Sequence, residues 1–98
     1  MTKTWSRHDV VSILEGDEDF LALLEREVLV QPTAPGDAYS DTDVHRVRIC
    51  RTLYRELGVN IAGLEVALNL LERIEIERQQ FSELLHLVRD ELRKRGEL

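Results

Sequence analysis

The chain has 98 residues, 43% of them apolar and 33% charged, which is enough for one folded domain and too apolar for a disordered segment. Its formal charge of −6 disfavours a generic nucleic-acid coat, because phosphate binding needs a basic surface. A single cysteine excludes an internal disulfide. No apolar run approaches the roughly 20 residues of a membrane span. We therefore expect one cytoplasmic domain (1–98) without a signal peptide or membrane segment.

The N-terminal third predicts two helices joined by a tight turn. Ser6, followed three residues later by Asp9, forms a capping-box pattern, so a first helix begins there. Gly16 is expected to end that helix as its C′ residue, and Asp17 then opens a second helix whose apolar positions follow helical spacing. Helix, tight turn and helix together predict a helix-turn-helix.

The middle of the chain predicts a short wing and then a third helix. Residues 28–30 are a β-prone run, but two prolines and a glycine within 32–36 force a loop and limit any hairpin ladder. Ser40 and Asp43 repeat the capping-box pattern almost letter for letter, which predicts a third helix that ends before Gly58. Residues 5–58 are therefore expected to form a winged helix-turn-helix.

The last part of the chain predicts one long helix over residues 60–95. Asn60 caps it, and at 1.5 Å per residue it would be roughly 50 Å long. Apolar residues recur in steps of four and three, with Arg78 as a polar interruption. Either the helix folds back on its own domain, or two copies of the chain pair in a coiled-coil homodimer, which we favour. The expected dimer seam consists of Leu71, Ile74, Phe81, Leu85, Val88 and Leu92.

The acidic residues are concentrated in the helix-turn-helix portion. Residues 1–39 carry three basic residues against eight acidic ones, and no Lys or Arg occurs between Glu27 and His45. The second helix of a DNA-reading helix-turn-helix enters the major groove, where carboxylates repel phosphate. Either these acidic residues only keep the protein soluble, as exposed acidic residues usually do, or their surface binds a basic protein partner, which we predict. The residues predicted to contribute are Asp17, Glu18, Asp19, Glu25 and Glu27.

The opposing signal is a basic stripe on the third helix. Arg48, Arg51 and Arg55 lie within about 60° of one another at 100° per residue. They are either the solvated face of an amphipathic helix or, in the alternative in which the protein binds DNA, contacts to phosphates. The first interpretation is favoured because charged stripes usually mark the exposed side of a helix.

The sequence carries no catalytic constellation, so we expect no enzyme, no cofactor and no metal. Asp41 and His45 are four residues apart, but two ligands at an exposed helix start are a weak metal signal. Cys50 lies on the apolar side of the third helix, and a buried structural thiol is the expected interpretation.

Residues 44–65 carry motifs of a known family, reading VHRVRICRTLYRELGVNIAGLE. This block resembles the third helix and the start of the dimerisation helix in MerR-like proteins. The G-V-N-x-A-G run at 58–63, continued by 66–71, is most similar to the CbpM-like chaperone-modulator branch and also resembles heat-shock repressors of the HspR type. Residues 26–32 resemble the family's link into the wing, and the resemblance covers about residues 5–92.

The resemblance implies a mainly helical, MerR-like winged helix-turn-helix with a long coiled-coil dimerisation helix. CbpM-like proteins bind the J-domain of a DnaJ- or CbpA-type co-chaperone and inhibit it, and an acidic partner suits the basic surface of a J-domain. The alternative is an HspR-like DNA-binding transcriptional regulator, and a third possibility is a dimerisation module without a ligand. The chain departs from DNA-binding members in lacking basic residues in the second helix and wing, and from metal sensors in lacking cysteines near the dimer helix.

Overall fold

The computed structural model describes residues 3–96 and shows an all-α chain, as predicted. Between these residues there is no β-strand, only two isolated bridges. The helices, in chain order, are α1 (Arg7–Ile13), α2 (Glu18–Arg26), α3 (Asp41–Arg51) and α4 (Ile61–Lys94), with a π-helical segment (Thr52–Glu56) continuing α3.

The start of α1 follows the prediction, but its end does not. Ser6 and Asp9 form the expected capping box, with the Asp9 N–H donating to Ser6 Oγ at 3.1 Å. The helix then ends, and the backbone turns through two residues in the left-handed region, Glu15 (φ 58°) and Gly16 (φ 84°). Glu15 therefore occupies C′, and the prediction of a C′ glycine at 16 is wrong by one residue. The Gly16 N–H reaches back to the Val11 carbonyl at 2.9 Å, which is the 6→1 bond of a Schellman turn.

The predicted wing is reduced to a small turn. Ala34 and Ala38 form a single bridge around residues 35–37, with one N–H···O bond of 2.9 Å. The β-prone run at 28–30 forms no strand, and Val28 itself is left-handed (φ 57°). Proline has no N–H to donate, so the loop cannot build a longer ladder. No basic side chain extends from this turn, because the sequence contains none there.

The third helix ends where it was expected to, but through a wider final turn. The Leu57 N–H donates to the Thr52 carbonyl at 3.3 Å, five residues back, and Gly58 follows with a φ of 69°. Inside this π-helical segment Tyr54 packs on Phe20 of α2, with 5.5 Å between ring centroids. The π turn therefore belongs to the surface that holds α2 in place.

The core lies in the first of two compact units into which the chain divides, one ending at Leu68 and the other beginning at Asn69. Cys50 is fully buried there, as predicted, and burial raises the pKa of its thiol to about 11. The buried apolar side chains are Val10, Leu14, Phe20, Leu21, Leu24, Val30, Tyr39, Val44, Val47, Cys50 and Leu64.

A buried carboxylate connects the wing to α3. Asp43 accepts hydrogen bonds from the Ser40 N–H at 2.8 Å, the Thr33 N–H at 3.1 Å and Thr33 Oγ1 at 2.7 Å. Burial by itself would raise the pKa of Asp43, but these donors outweigh it and hold the pKa below its ordinary value of 3.8. Ser40 was predicted as the cap, whereas Thr33 has no local sequence signal.

We expect Asp43→Asn to lower the free energy of unfolding by about 1–2 kcal/mol near neutral pH, since charged acceptors make the stronger hydrogen bonds. Because the pKa of Asp43 is lower in the folded than in the unfolded protein, its carboxylate stabilises the fold at pH values above the ordinary pKa. This stabilisation is lost as the pH falls through the folded pKa. The gap between wild type and variant should therefore shrink below about pH 4, measured by urea unfolding at a series of pH values. Asp37→Asn, at an exposed position in the wing turn, is the control. An undiminished gap at about pH 2 would contradict the assignment.

The predicted long helix is confirmed as α4, which runs unbroken from Ile61 to Lys94. Asn60 caps it, with its Oδ1 accepting the Gly63 N–H at 2.8 Å. In the unit that begins at Asn69, the side chains up to residue 96 include none that is buried. No helix within 3–96 is both long and apolar enough to cross a membrane.

Candidate interaction surface

Asp17, the first of the five predicted acidic residues, lies at the N-cap of α2 and forms ion pairs with two arginines. Its carboxylate caps the helix through the Phe20 N–H at 3.3 Å. It also accepts from Arg55 Nε and Nη2 and from Arg51 Nε, each at 3.1 Å. Hydrogen bonds from Arg55 and then Arg51 outweigh partial burial and lower the pKa of Asp17. The residue is therefore ionised and internally paired.

A third arginine, Arg7 of α1, binds two more of the predicted acidic residues. Its Nη1 lies 3.0 Å from Glu18 Oε1, and its Nε and Nη2 each donate to Glu25 Oε1 at 3.0 Å. The buried Tyr39 hydroxyl donates to Glu25 Oε2 at 3.0 Å. Burial, and then this hydrogen bond, raise the pKa of Tyr39 to about 12. The network joins α1, α2 and Tyr39, which immediately precedes the N-cap of α3.

The remaining two acidic residues, Asp19 and Glu27, are exposed. Neither side chain makes a hydrogen bond or close ion pair with another residue between 3 and 96, although the charge of Asp19 acts on Arg55. The predicted acidic surface thus divides into three carboxylates that tie helices together and two that face solvent. The assignment of all five to partner binding stays a prediction, but only Asp19 and Glu27 could bind a partner without giving up an internal ion pair.

The three arginines predicted as alternative phosphate contacts share one cleft. Arg48, Arg51 and Arg55 line an open polar cleft of about 330 Å³ beside the end of α1. Glu15 and Glu56 line it as well, so its charge is mixed. The structure brings the three arginines together on one face, as the helical wheel predicted, and it pairs two of them with Asp17.

Asp41, one of the two residues in the weak metal pattern with His45, accepts a hydrogen bond from Trp5 instead. Trp5 Nε1 donates to Asp41 Oδ1 at 2.7 Å, and the Trp5 backbone pairs with Tyr39 through bonds of 2.8 and 2.7 Å. Asp41 therefore helps to fasten the N-terminal segment to the start of α3. In the part of the chain from 3 to 96, no group of three or more His, Cys, Asp or Glu residues is placed to hold a metal ion.

The predicted dimer seam lies on the exposed apolar side of α4. Ile74, Phe81, Leu85 and Val88 are each about half exposed or more, and Phe81 reaches 61%. Leu71 and Leu92, the other two predicted seam residues, are partly exposed. None of these six side chains is buried within one chain. A face of this kind is what a coiled-coil partner would cover, and the dimer itself stays a prediction.

Comparison with known proteins identifies one family. The family model described as MerR HTH family regulatory protein matches residues 6–86, which include both capping boxes, the arginine-lined cleft and most of α4. A search of curated proteins and a search of solved structures each found no match.

Proposed function

We propose that this chain, which belongs to the MerR HTH family of regulatory proteins, binds the J-domain of a DnaJ- or CbpA-type co-chaperone and inhibits its activity. The choice of partner rests on the CbpM-like run at residues 58–63 and on the charge of the helix-turn-helix surface. The mechanism is steric and electrostatic and includes no catalytic step, cofactor or metal. The proposed location is the cytoplasm.

The observation that carries the proposal is the acidity of α2 and its surroundings. A groove-reading second helix needs basic side chains, yet α2 begins Glu18-Asp19 and has Arg26 as its only basic residue. Arg51 at the end of α3 and Arg55 in the π-helical segment are already bound to Asp17. The wing turn contributes no basic residue. A surface of this charge favours a basic protein over a phosphate backbone.

The proposed active species is a homodimer that pairs through the seam on α4. A twofold dimer would present two copies of the acidic surface, one on each helix-turn-helix. Two J-domains could then bind per dimer, and the expected stoichiometry is one J-domain per chain.

Titration calorimetry with the isolated J-domain of a DnaJ-type co-chaperone tests the proposal. We expect saturable binding at micromolar concentration or tighter in about 0.1 M salt, weakening as the salt is raised because the contacts are ionic. Removing the two free charges in Asp19→Asn/Glu27→Gln should weaken binding about tenfold, since each exposed pair contributes on the order of 0.2–1 kcal/mol.

A matched control removes two charges elsewhere. Asp37 and Glu65 are also exposed, and Asp37→Asn/Glu65→Gln changes the net charge by the same amount. Equal weakening by the two double variants would show a general charge effect and contradict the assigned surface. No binding by the wild type would reject the J-domain proposal itself.

The second candidate is a DNA-binding transcriptional regulator, which the shared cleft of Arg48, Arg51 and Arg55 favours. It predicts that the wild type binds duplex DNA with an affinity that falls steeply with salt, because counterions are released as phosphates are neutralised. Tight duplex binding together with no J-domain binding would select this candidate.

A further inference from the structure

The contact between Asp17 and the two arginines has the chemistry of a phosphate site with a carboxylate in it. Arg55 offers Nε and Nη2 to the two oxygens of Asp17, each at 3.1 Å, in the two-bond geometry by which guanidinium groups bind carboxylate and phosphate alike. Arg51 Nε donates to the same carboxylate at 3.1 Å. The Nε of both arginines and the Nη2 of Arg55, which a phosphate would use for two-bond contacts, are thus already bound.

Asp17 is held in this position by its own role in the fold. It is the N-cap of α2, and its side chain is only 16% exposed. The carboxylate is present beside the arginines at all times, without any entropy of association to overcome. An external anion that uses the same three nitrogens must displace it, while Arg48, which lines the same cleft, is exposed.

We propose that Asp17 is an internal competitor that occupies Arg51 and Arg55 and so keeps the phosphodiester backbone of nucleic acid out of the cleft. Arg48, Arg51 and Arg55 then form a latent phosphate site, in which the Asp17 carboxylate takes the place of a phosphate. This inference concerns the arginines and does not depend on the J-domain proposal, which concerns the solvent-facing carboxylates.

Asp17→Asn tests the competition with little effect on the cap. Asparagine is as good an N-cap as aspartate, but it does not carry the charge that pairs with the arginines. We expect the variant to bind a labelled duplex of about 20 base pairs and arbitrary sequence roughly tenfold more tightly than the wild type in low salt, measured by fluorescence anisotropy. Two released arginines should also steepen the slope of log K against log salt by about two.

Two comparisons separate release of the arginines from a change in net charge. Asp19→Asn removes the same charge from an exposed residue two positions away, which acts on Arg55 through its charge but forms no hydrogen bond with it, so its salt slope should match that of the wild type. Adding Arg51→Gln and Arg55→Gln to Asp17→Asn should abolish the gain. Circular dichroism and melting establish that each variant is folded, and Asp17→Ser, which also caps, repeats the test.

Equal gains for Asp17→Asn and Asp19→Asn, with unchanged salt slopes, would overturn the proposal and leave only a net-charge effect. Folded Asp17→Asn and Asp17→Ser variants that bind the duplex no better than the wild type would overturn it as well. Glu15 and Glu56 remain in the cleft in every variant, so the expected gain is moderate.

Discussion

Leu85→Glu is expected to convert the proposed homodimer into monomers. Leu85 is 52% exposed within one chain and lies in the middle of the predicted seam. In a twofold dimer one substitution removes two leucines from the interface, one from each chain. Burying a leucine contributes about 1.5–3 kcal/mol. The dissociation constant should therefore rise by about two to four powers of ten, before the cost of placing a carboxylate in the seam. Sedimentation velocity at micromolar protein concentration measures it.

Leu87→Glu is the matched control for this experiment. Leu87 is on the same helix and is 67% exposed, but at 100° per residue it lies on a different face from the seam. This variant should remain dimeric. A dimer that survives Leu85→Glu but dissociates in Leu87→Glu would place the interface on the other face, and a wild type that is monomeric at micromolar concentration would remove the coiled-coil interpretation altogether.

Phe20→Ala is expected to lower the free energy of unfolding by about 3–5 kcal/mol, the usual cost of truncating a buried phenylalanine. Phe20 is fully buried on α2 and stacks obliquely on Tyr54 of the π-helical segment. Its loss leaves a cavity between the helix-turn-helix and the end of α3. Because domains of this size are stable by only about 5–15 kcal/mol, the variant should unfold at much lower urea concentration, followed by far-UV circular dichroism.

Leu57→Ala gives the corresponding surface comparison. Leu57 is 68% exposed at the end of the π-helical segment, so its truncation should change stability by less than about 0.5 kcal/mol. Both variants are compared with the wild type at one protein concentration, since the proposed dimerisation would contribute to the apparent stability. A loss in Phe20→Ala no larger than in Leu57→Ala would show that α2 is not held by this contact.

The local features of the fold could be predicted from the sequence. The caps at Ser6, Ser40 and Asn60 act over three residues, so the pattern that predicts each cap contains both of its partners. The long α4 and its apolar stripe follow from helical periodicity in the same way. These signals place the helices and predict the all-α class, and the family match over residues 6–86 agrees with the MerR-like resemblance.

Only the tertiary structure decided which charged side chains pair with one another. Sequence reasoning assigned Asp17 to one surface and Arg51 and Arg55 to another, yet the fold joins them across 34 and 38 residues. Glu25 likewise meets Arg7 and the buried Tyr39 hydroxyl, neither of which is a helical neighbour. The sequence around a carboxylate does not indicate a partner that is far away in the chain. Long-range ion pairs form only once the packing of α1, α2 and α3 has brought the side chains together.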